Sequence, residues 1–355
     1  MNTINQKSYN LMNKIIIKFY NKFMNFYDSK IAFSKLGDVF SLIYYFDKLK
    51  ADNIKFTEFI NEGVNQDINF LISTQKKGLL LYNSGEIIQL FKNKGFYGLT
   101  KHKSNYYAFH ITGFHGNIIS FSLKDKKAIK PYVVIRGLSK GIHQIDFIDE
   151  NLYVTNTYDN SILIYNKIYN KKNIHWKNYD NIIYPNDKLL NGRSSSNYNH
   201  FNSIFRYKKF IYLFAHNETK KSSRNSEIYK LDKNNLNVIE IKKTTGSNGH
   251  NIYIDENQIL FCKSIEGTLS SEKKDILQHK NIFTRGLSVS NKYLILGGSE
   301  IAHNRNDRGS SSGYIYIYNL NFKLLQKICI DKTQIQEVRQ INIEEKTLSN
   351  SKYNI

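Results

Sequence analysis

A unit of strand, polar turn and second strand recurs six times along the chain, and this repeat limits the fold more than any other feature of the sequence. In each unit, apolar residues alternate with polar ones on both sides of a turn rich in Asn, Asp, Gly or Lys. The units begin roughly 35 to 60 residues apart, close to the length of one four-stranded propeller blade. The repeat therefore predicts an all-β, six-bladed β-propeller. The units are GFYGLTKHKSNYYAFHI, GIHQIDFIDENLYVTNT, HFNSIFRYKKFIYLFAH, GHNIYIDENQILFCKS, FTRGLSVSNKYLILGGS and IQEVRQINIEE.

The two ends of the repeat region predict how the ring closes. The sixth unit, IQEVRQINIEE, has no further strands after it, whereas DINFLIST, KGLLLYN and GEIIQLF near residues 67–91 supply three strands that lack an inner strand of their own. Joining the two groups completes a blade and leaves no exposed edge between the first and last blades. We therefore expect one blade to contain both N-terminal and C-terminal strands.

The first part of the chain has a different pattern. Met12, Ile16, Phe19 and Phe23 recur at helical spacing, with lysines on the opposite face, which predicts a basic amphipathic helix. Residues 10–28 could contact a membrane surface or a protein partner, but packing of the helix against the outside of the propeller is the favoured interpretation. The predicted organisation is a helical segment (1–66), a propeller (67–345) and a C-terminal tail (346–355).

Composition limits the partners and the compartment. The net charge is +21, but only 8 of the 51 basic residues are arginine, and the excess of Lys, Asn and Ile is typical of AT-rich coding bias. Without an arginine-rich run or zinc-knuckle spacing, we expect no specific nucleic-acid partner. Cys262 and Cys329 lie in apolar runs typical of buried, reduced thiols. No apolar run of about 18 residues and no cleavable signal are visible, so a cytoplasmic protein, peripheral to a membrane if the basic helix binds one, is predicted.

The blade alignment predicts which residues share the central channel. The first strand of each propeller blade lines this channel, so its entrance residues converge on one mouth. Aligning the turns brings five residues to one level, with His143 and His200 just before it. These five residues are Gly98, Gln144, Asn202, His250 and Arg285.

Three of these positions are histidines from different blades. His143, His200 and His250 could offer three nitrogens to a divalent ion of unknown identity and leave positions open for water or substrate. The alternative is that these imidazoles only donate to and accept from neighbouring backbone or water. The other histidines considered lie at later strand positions or in loops, namely His102, His110, His115 and His216.

The few arginines mark candidate anion contacts. Arg285 and Arg339 are predicted to orient an anionic substrate because a guanidinium matches a carboxylate or phosphate; a structural ion pair between Arg339 and Glu337 is the alternative. Arg285 and Glu337 are the candidate catalytic residues, with Glu337 or a metal-bound water as base. Four further candidates for substrate binding lie at the channel level or in the Gly- and Ser-rich loop 297–313: Gln144, Asn202, Arg305 and Arg308.

The strands FTRGLSVSNKYLILGGSE, SGYIYIYN and QIQEVRQI give a resemblance to a known group of proteins. In this order they resemble the C-terminal half of an uncharacterised bacterial family of six-bladed β-propellers. The resemblance implies the fold and carries no established activity. At the level of the fold, the chain is also similar to six-bladed peptidyl-hydroxyglycine amidating lyases, and that similarity implies a metal held by channel histidines.

Two functions follow as alternatives. One is a metal-dependent lyase or hydrolase that acts on a small anionic or sugar-like substrate in the channel. The other is a non-catalytic propeller that binds a glycan or a protein partner, in a surface-polysaccharide or assembly pathway. Propellers serve both roles, so the fold alone does not decide between them.

Overall fold

The structure, a computed structural model, describes residues 52–61, 68–92, 94–112, 115–186, 198–218, 222–302, 307, 310–341, 343–352 and 354. The predicted amphipathic helix lies outside the described residues, as do Arg305 and Arg308 of the predicted binding loop. None of the described residues forms a helix of the length and apolarity needed to cross a bilayer.

The described strands form six sheets, which we call blades 1 to 6. The strands of each blade are given from the inner strand outward. Blade 1 contains β6 (Phe96–His102), β7 (Asn105–Thr112), β8 (His115–Lys124), β9 (Lys127–Leu138) and β13 (Ile174–His175). Blade 2 contains β10 (Ile142–Ile148), β11 (Asn151–Asn156), β12 (Ser161–Asn166) and β14 (Asn181–Ile183). Blade 3 contains β15 (Phe201–Tyr207), β16 (Phe210–Ala215), β17 (Glu227–Asp232) and β18 (Val238–Lys243).

Blades 4 to 6 complete the ring. Blade 4 contains β19 (His250–Ile254), β20 (Ile259–Lys263), β21 (Thr268–Ser271) and β22 (Asp275–Gln278). Blade 5 contains β23 (Ile282–Val289), β24 (Tyr293–Glu300), β25 (Gly313–Asn319), β26 (Leu324–Ile330) and β2 (Thr57–Asn61). Blade 6 contains β27 (Ile335–Gln340), β3 (Asn69–Thr74), β4 (Leu79–Asn83), β5 (Glu86–Phe91) and β1 (Asp52–Asn53). Short 3-10 turns lie at Thr157–Asp159 and Ile168–Asn170.

The predicted six-bladed propeller and its mode of closure are confirmed. The six inner strands contact one another in the cyclic order β6, β10, β15, β19, β23, β27 and back to β6. In blade 6, β27 pairs antiparallel with β3, so that Val338 lies opposite Ile72. The first described residues add outer strands on both sides of this junction, because β1 pairs with β5 and β2 pairs with β26.

The core lies between neighbouring blades. The apolar residues that alternate along the predicted strands are buried there; Phe109 and Phe147, for example, pack between blades 1 and 2, and Phe205 packs at the interface of blades 3 and 4. Each fully buried side chain of this size contributes about 1.5–3 kcal/mol by leaving water. Gly98 marks a close approach of blades 1 and 2, since a Cβ there would lie 2.8 Å from the backbone nitrogen of Ile145.

Polar side chains of the inner strands also join one blade to the next. Gln144 Oε1 accepts from the N–H of Ile204 at 2.7 Å, and Asn202 Nδ2 donates to the carbonyl of Gly249 at 2.6 Å. Similar bonds continue around the ring. They are Asn251 with Gly286 (2.7 Å), Ser288 with Gln340 (3.2 Å), Arg339 with the Leu99 carbonyl (3.0 Å) and Thr100 with Asp146 (2.6 Å). The channel wall is therefore a closed belt of hydrogen bonds around buried polar groups.

Residues 343–352 and 354, which we call the tail, cover one end of the channel. Ser349 donates its N–H to Asp146 Oδ2 and accepts at its hydroxyl from the N–H of Arg206, both at 2.9 Å. The carbonyl of Asn354 accepts from Lys208 at 2.8 Å, and Lys346 donates to Val289. The tail thus forms hydrogen bonds near the C-terminal ends of β10, β15 and β23. This end of the channel is opposite to the one where the inner strands begin.

Candidate functional site

The entrances of the inner strands share a local irregularity that positions side chains. In all six inner strands the pairing with the second strand shifts register within the first few residues, for example between Ile142 and Ile145 and between His250 and Ile252. A bulge of this kind leaves a residue unpaired and re-aims its side chain. His143 of β10 and Arg285 of β23 lie inside two of these bulges.

The structure brings the three predicted histidines together at this end of the channel. Nε2 of His143 lies 3.2 Å from Nε2 of His200, and their ring centroids are 4.8 Å apart. The rings of His143 and His250 have centroids 5.9 Å apart. Arg285 reaches the same group, because its Nη2 lies 2.8 Å from Nδ1 of His143.

A fourth histidine, His216, completes the group. Its ring stacks on that of His200 at 4.4 Å and lies 5.2 Å from that of His250. From the sequence, His216 is only a second-rank candidate for the channel site, because it follows a later strand of its blade and not an inner strand. The pairing of β15 with β16 could have placed His216 in the mouth. Phe201 pairs with Ala215, so His200, which precedes Phe201, lies beside His216, which follows Ala215. We call His143, His200, His216, His250 and Arg285 the histidine mouth.

Hydrogen bonds fix the protonation of His143. A guanidinium can only donate, so Nδ1 of His143 accepts from Arg285 and the imidazole proton lies on Nε2. That Nε2–H then donates to Nε2 of His200. His200 in turn carries its proton on Nδ1, which faces the hydroxyl of Tyr198 at 3.0 Å and a carboxylate oxygen of Glu218 at 3.5 Å. The result is a chain of contacts from Arg285 through two imidazoles to Glu218.

The remaining two imidazoles differ in their tautomers. Nδ1 of His216 accepts the backbone N–H of Glu218 at 3.0 Å, so its proton lies on Nε2. Nδ1 of His250 lies 3.0 Å from the carbonyl of Asn248 and donates to it, which leaves a lone pair on Nε2. The mouth therefore presents both N–H donors and imidazole lone pairs.

The charge of Arg285 acts on the histidines of the mouth. Burial, followed by the charge of Arg285, holds the pKa of His143 well below its usual value, and the same two causes lower the pKa of His250. His200, His216 and His250 are buried, while His143, Arg285 and the nearby Tyr97 stay partly exposed. The guanidinium carbon of Arg285 lies 5.4 Å from the centroid of the Tyr97 ring. Solvent thus reaches the mouth beside Arg285.

The mouth fits a metal only in part. A metal-bound imidazole usually donates its other N–H to a carbonyl or carboxylate, as His250 does and as His200 can, whereas His143 and His216 each accept at Nδ1. No three His, Cys, Asp or Glu side chains of the described residues are arranged as metal ligands.

The other predicted site residues lie deeper or elsewhere. Glu337 and Arg339 are buried in the channel with Nη1 and Oε1 3.3 Å apart, and Asn251 also donates to Glu337 at 3.1 Å. Gln144 and Asn202 are buried, and their side chains form the hydrogen bonds between neighbouring blades described above. The three other histidines considered in the sequence analysis lie outside the mouth: His102 stacks on Phe147 and Tyr169, His110 stacks on Phe96, and His115 opens β8.

Comparison with known proteins gives the fold and no family. No protein-family model matches the sequence, and no curated protein is significantly similar to it. A chain of the nidogen–laminin complex superposes with a TM-score of 0.52 and 11% identity, over 79% of this chain and 99% of that one. A protein from Lactobacillus plantarum gives 0.50 and 10%, over 77% and 99%. Regucalcin from Agrobacterium tumefaciens, a calcium-binding protein, is more distant, at 0.40 and 10%, over 65% and 73%. At these identities the likeness extends to the propeller fold alone.

Proposed function

We propose that the histidine mouth binds a small anionic molecule that carries a carboxylate or phosphate group, with Arg285 as its anchor. The observation that supports this best is the guanidinium held 2.8 Å from a neutral imidazole at a partly exposed point of the channel. A guanidinium has five N–H donors in a planar fork, and this geometry matches the oxygens of a carboxylate or phosphate. The Nε2–H of His216 would add a neutral donor.

An anion in the mouth would also change the acidity of its histidines. The charge of Arg285 lowers the pKa of His143 and of His250, and a negative ligand would oppose that effect and raise both pKa values. Binding is therefore expected to be coupled to proton uptake and to strengthen as pH falls from 7.5 to 6.

The proposed chemistry is acid–base catalysis on the bound anion, in a lyase or hydrolase. If the bound anion draws Arg285 away from Nδ1 of His143, this nitrogen would accept a proton from the ligand while the Nε2 proton of His143 passes along the 3.2 Å contact to Nε2 of His200, whose Nδ1–H faces Tyr198 and Glu218. Glu337 remains a second candidate base, but its carboxylate is engaged by Arg339 and Asn251. A non-catalytic propeller would bind the same anion without turnover.

Titration calorimetry with inorganic phosphate, acetate and succinate tests the proposal. We expect Arg285→Gln to weaken binding of at least one of these anions by about tenfold or more, because a hydrogen bond to a charged group contributes about 1.5–3 kcal/mol. Lys273→Gln, which removes the same charge from an exposed turn of blade 4, is the matched control. Equal affinities in wild type and Arg285→Gln, or equal losses in both variants, would contradict an anion site at the mouth.

One specific observation favours a metal as a second candidate. Two nitrogens bound to one tetrahedral zinc at about 2.0–2.1 Å lie roughly 3.3 Å apart, close to the 3.2 Å between the Nε2 atoms of His143 and His200. Ligation would require the Nε2 of His143 to lose its proton while Nδ1 still accepts from Arg285. Metal analysis of protein dialysed against zinc, with His200→Gln as the variant, separates this candidate from anion binding.

A further inference from the structure

The end of the channel opposite to the histidine mouth contains a second cavity. Its volume is about 200 Å³, and it lies between the tail and the ends of the inner strands. Residues that line it include Lys101, His102, Gln340, Glu344, Glu345 and Leu348. We call it the far cavity. It shares no residue with the histidine mouth.

Two buried acceptor atoms of the far cavity lack donors. Glu345 and Gln340 are 3% and 2% exposed, and among the described residues no donor lies within hydrogen-bond distance of Oε2 of Glu345 or Oε1 of Gln340. Ser288 brings the two side chains together, because its hydroxyl oxygen accepts from Nε2 of Gln340 at 3.1 Å and its O–H is directed towards the Glu345 carboxylate as a donor. Buried oxygens of this kind cost free energy unless a donor or a cation reaches them.

The charges nearby leave one negative charge in excess. Asp146, Glu337 and Glu345 all act electrostatically on Arg339, and Arg339 Nη1 lies 3.3 Å from one carboxylate oxygen each of Glu337 and Glu345. Arg285 adds a second guanidinium on the mouth side of Glu337. When all three buried carboxylates are ionised, they face two guanidinium groups, and the one negative charge in excess corresponds to a single monovalent cation.

The lysines at the rim of the far cavity have other partners. Nζ of Lys101 lies 5.5 Å from the centroid of the Tyr106 ring. Nζ of Lys103 lies 4.3 Å from the centroid of the Tyr169 ring and 3.5 Å from Glu150. Glu344 is paired as well, since it contacts Lys352 at 2.7 Å and accepts from the hydroxyl of Ser351. Glu345 is thus the carboxylate of this cavity that retains an oxygen without a donor among the described residues.

We propose that the far cavity binds a small monovalent cation, K⁺ or NH₄⁺, between Oε2 of Glu345 and Oε1 of Gln340. Carboxylate and amide oxygens suit such an ion. The cation would satisfy both oxygens and balance the excess charge around Arg339. It would also join the first residues of the tail to β27, which carries Gln340.

A proton competes with the cation for the same carboxylate. Burial raises the pKa of Glu345 to about 7, against the opposing effect of Arg339. The other groups that face this carboxylate are Glu337 and Arg339 on β27, Tyr106 on β7, Glu344 on the tail, and Lys101, His102 and Lys103 at the rim. Cation binding should therefore strengthen as pH rises from 6 to 8, the direction opposite to that expected for anions at the histidine mouth.

The test is the melting temperature of the full chain at pH 8 and constant ionic strength, with choline chloride replaced stepwise by KCl or NH₄Cl. We expect a saturable rise of roughly 2–4 °C for at least one of the two ions when its concentration is about ten times its Kd. Glu345→Gln should abolish the rise. Glu344→Gln, which removes one charge from the same cavity, should keep it.

Each outcome decides the proposal. No rise with either ion relative to choline, or an equal rise in Glu345→Gln and wild type, would overturn the cation site and leave water as the partner of these oxygens. If Glu345→Gln does not fold, Gln340→Leu serves in its place, and a full rise in that variant is the contradicting result. K⁺ and NH₄⁺ are distinguished by which of the two raises the melting temperature.

Discussion

The two ends of the channel are built from the same six strands and have opposite chemistry. The histidine mouth, where the inner strands begin, contains four imidazoles beside Arg285 and stays partly open to solvent. The far cavity, where they end, is lined by the buried carboxylate of Glu345, which contacts Arg339, and by other residues of the tail. Because all six inner strands run in the same direction along the channel, their first residues meet at one end and their last residues meet at the other. Residues only a few positions apart in a strand therefore reach different sites.

The largest expected effect concerns the guanidinium at the far end. Arg339→Met should lower the free energy of unfolding by about 3–5 kcal/mol in urea at pH 7, because it leaves Glu337 and Glu345 buried without their cation. The control is Arg206→Met, whose partner Asp149 is half exposed and can be hydrated after the change. An equal loss in both variants would show that burial does not distinguish the two ion pairs.

The second-largest expected effect is the change of folding stability with pH that Glu345 causes. Its pKa is about 7 in the folded protein and near 4.5 in the unfolded chain, so the folded state binds more protons between these values and stability falls as pH rises through them. In choline buffer, Glu345→Gln should be more stable than wild type by about 2–3 kcal/mol at pH 8 and equal to it at pH 4. A constant difference from pH 4 to pH 8 would contradict the raised pKa.

The histidine mouth should respond to pH in the opposite direction. The pKa values of His143 and His250 are lowered in the folded protein, so the unfolded chain binds more protons below pH 6.5 and stability falls as pH falls. Between pH 6.5 and 5.5 the loss should be roughly 1–2 kcal/mol for the pair and should disappear in the double variant His143→Gln, His250→Gln. His175→Gln, at the outer edge of blade 1, should keep the wild-type pH dependence of unfolding.

The smallest effect measures how the tail is held. Ser349→Ala removes the hydroxyl that accepts from the N–H of Arg206 and should cost about 1 kcal/mol of unfolding free energy. Hydrogen exchange at the Arg206 amide should accelerate in this variant, while exchange at the Glu218 amide of the histidine mouth stays unchanged. Faster exchange at both amides would show that the two ends of the channel do not open independently.

The sequence predicted the ring and its closure because both follow from repeated local signals. Alternation, turn residues and the unmatched strands at the two ends place the inner strands near residues 96, 141, 200, 249, 283 and 335, and the structure begins them within one residue or so of these positions. The convergence of His143, His200 and His250 followed from that alignment. The bulges that aim His143 and Arg285 were not predictable, because a register shift depends on the partner strand and not on periodicity.

The far end of the channel had no comparable signal. The tail is held by hydrogen bonds from short polar residues such as Ser349 and Asn354, and such bonds leave no periodic pattern in a sequence. Residue 345 was predicted as the last residue of the propeller, yet the Glu345 side chain packs beside Arg339 in the channel. For Arg339 itself, anion binding and an ion pair with Glu337 both fitted the sequence; in the structure its donors also reach the carbonyls of Leu99 and Leu287.

The strands β1 and β2 determine where the preceding part of the chain attaches. They lie on the outer edges of blades 6 and 5, on the rim of the ring and away from its axis. A tether joined at residue 52 would therefore hold the propeller at its rim, away from the histidine mouth at the channel axis.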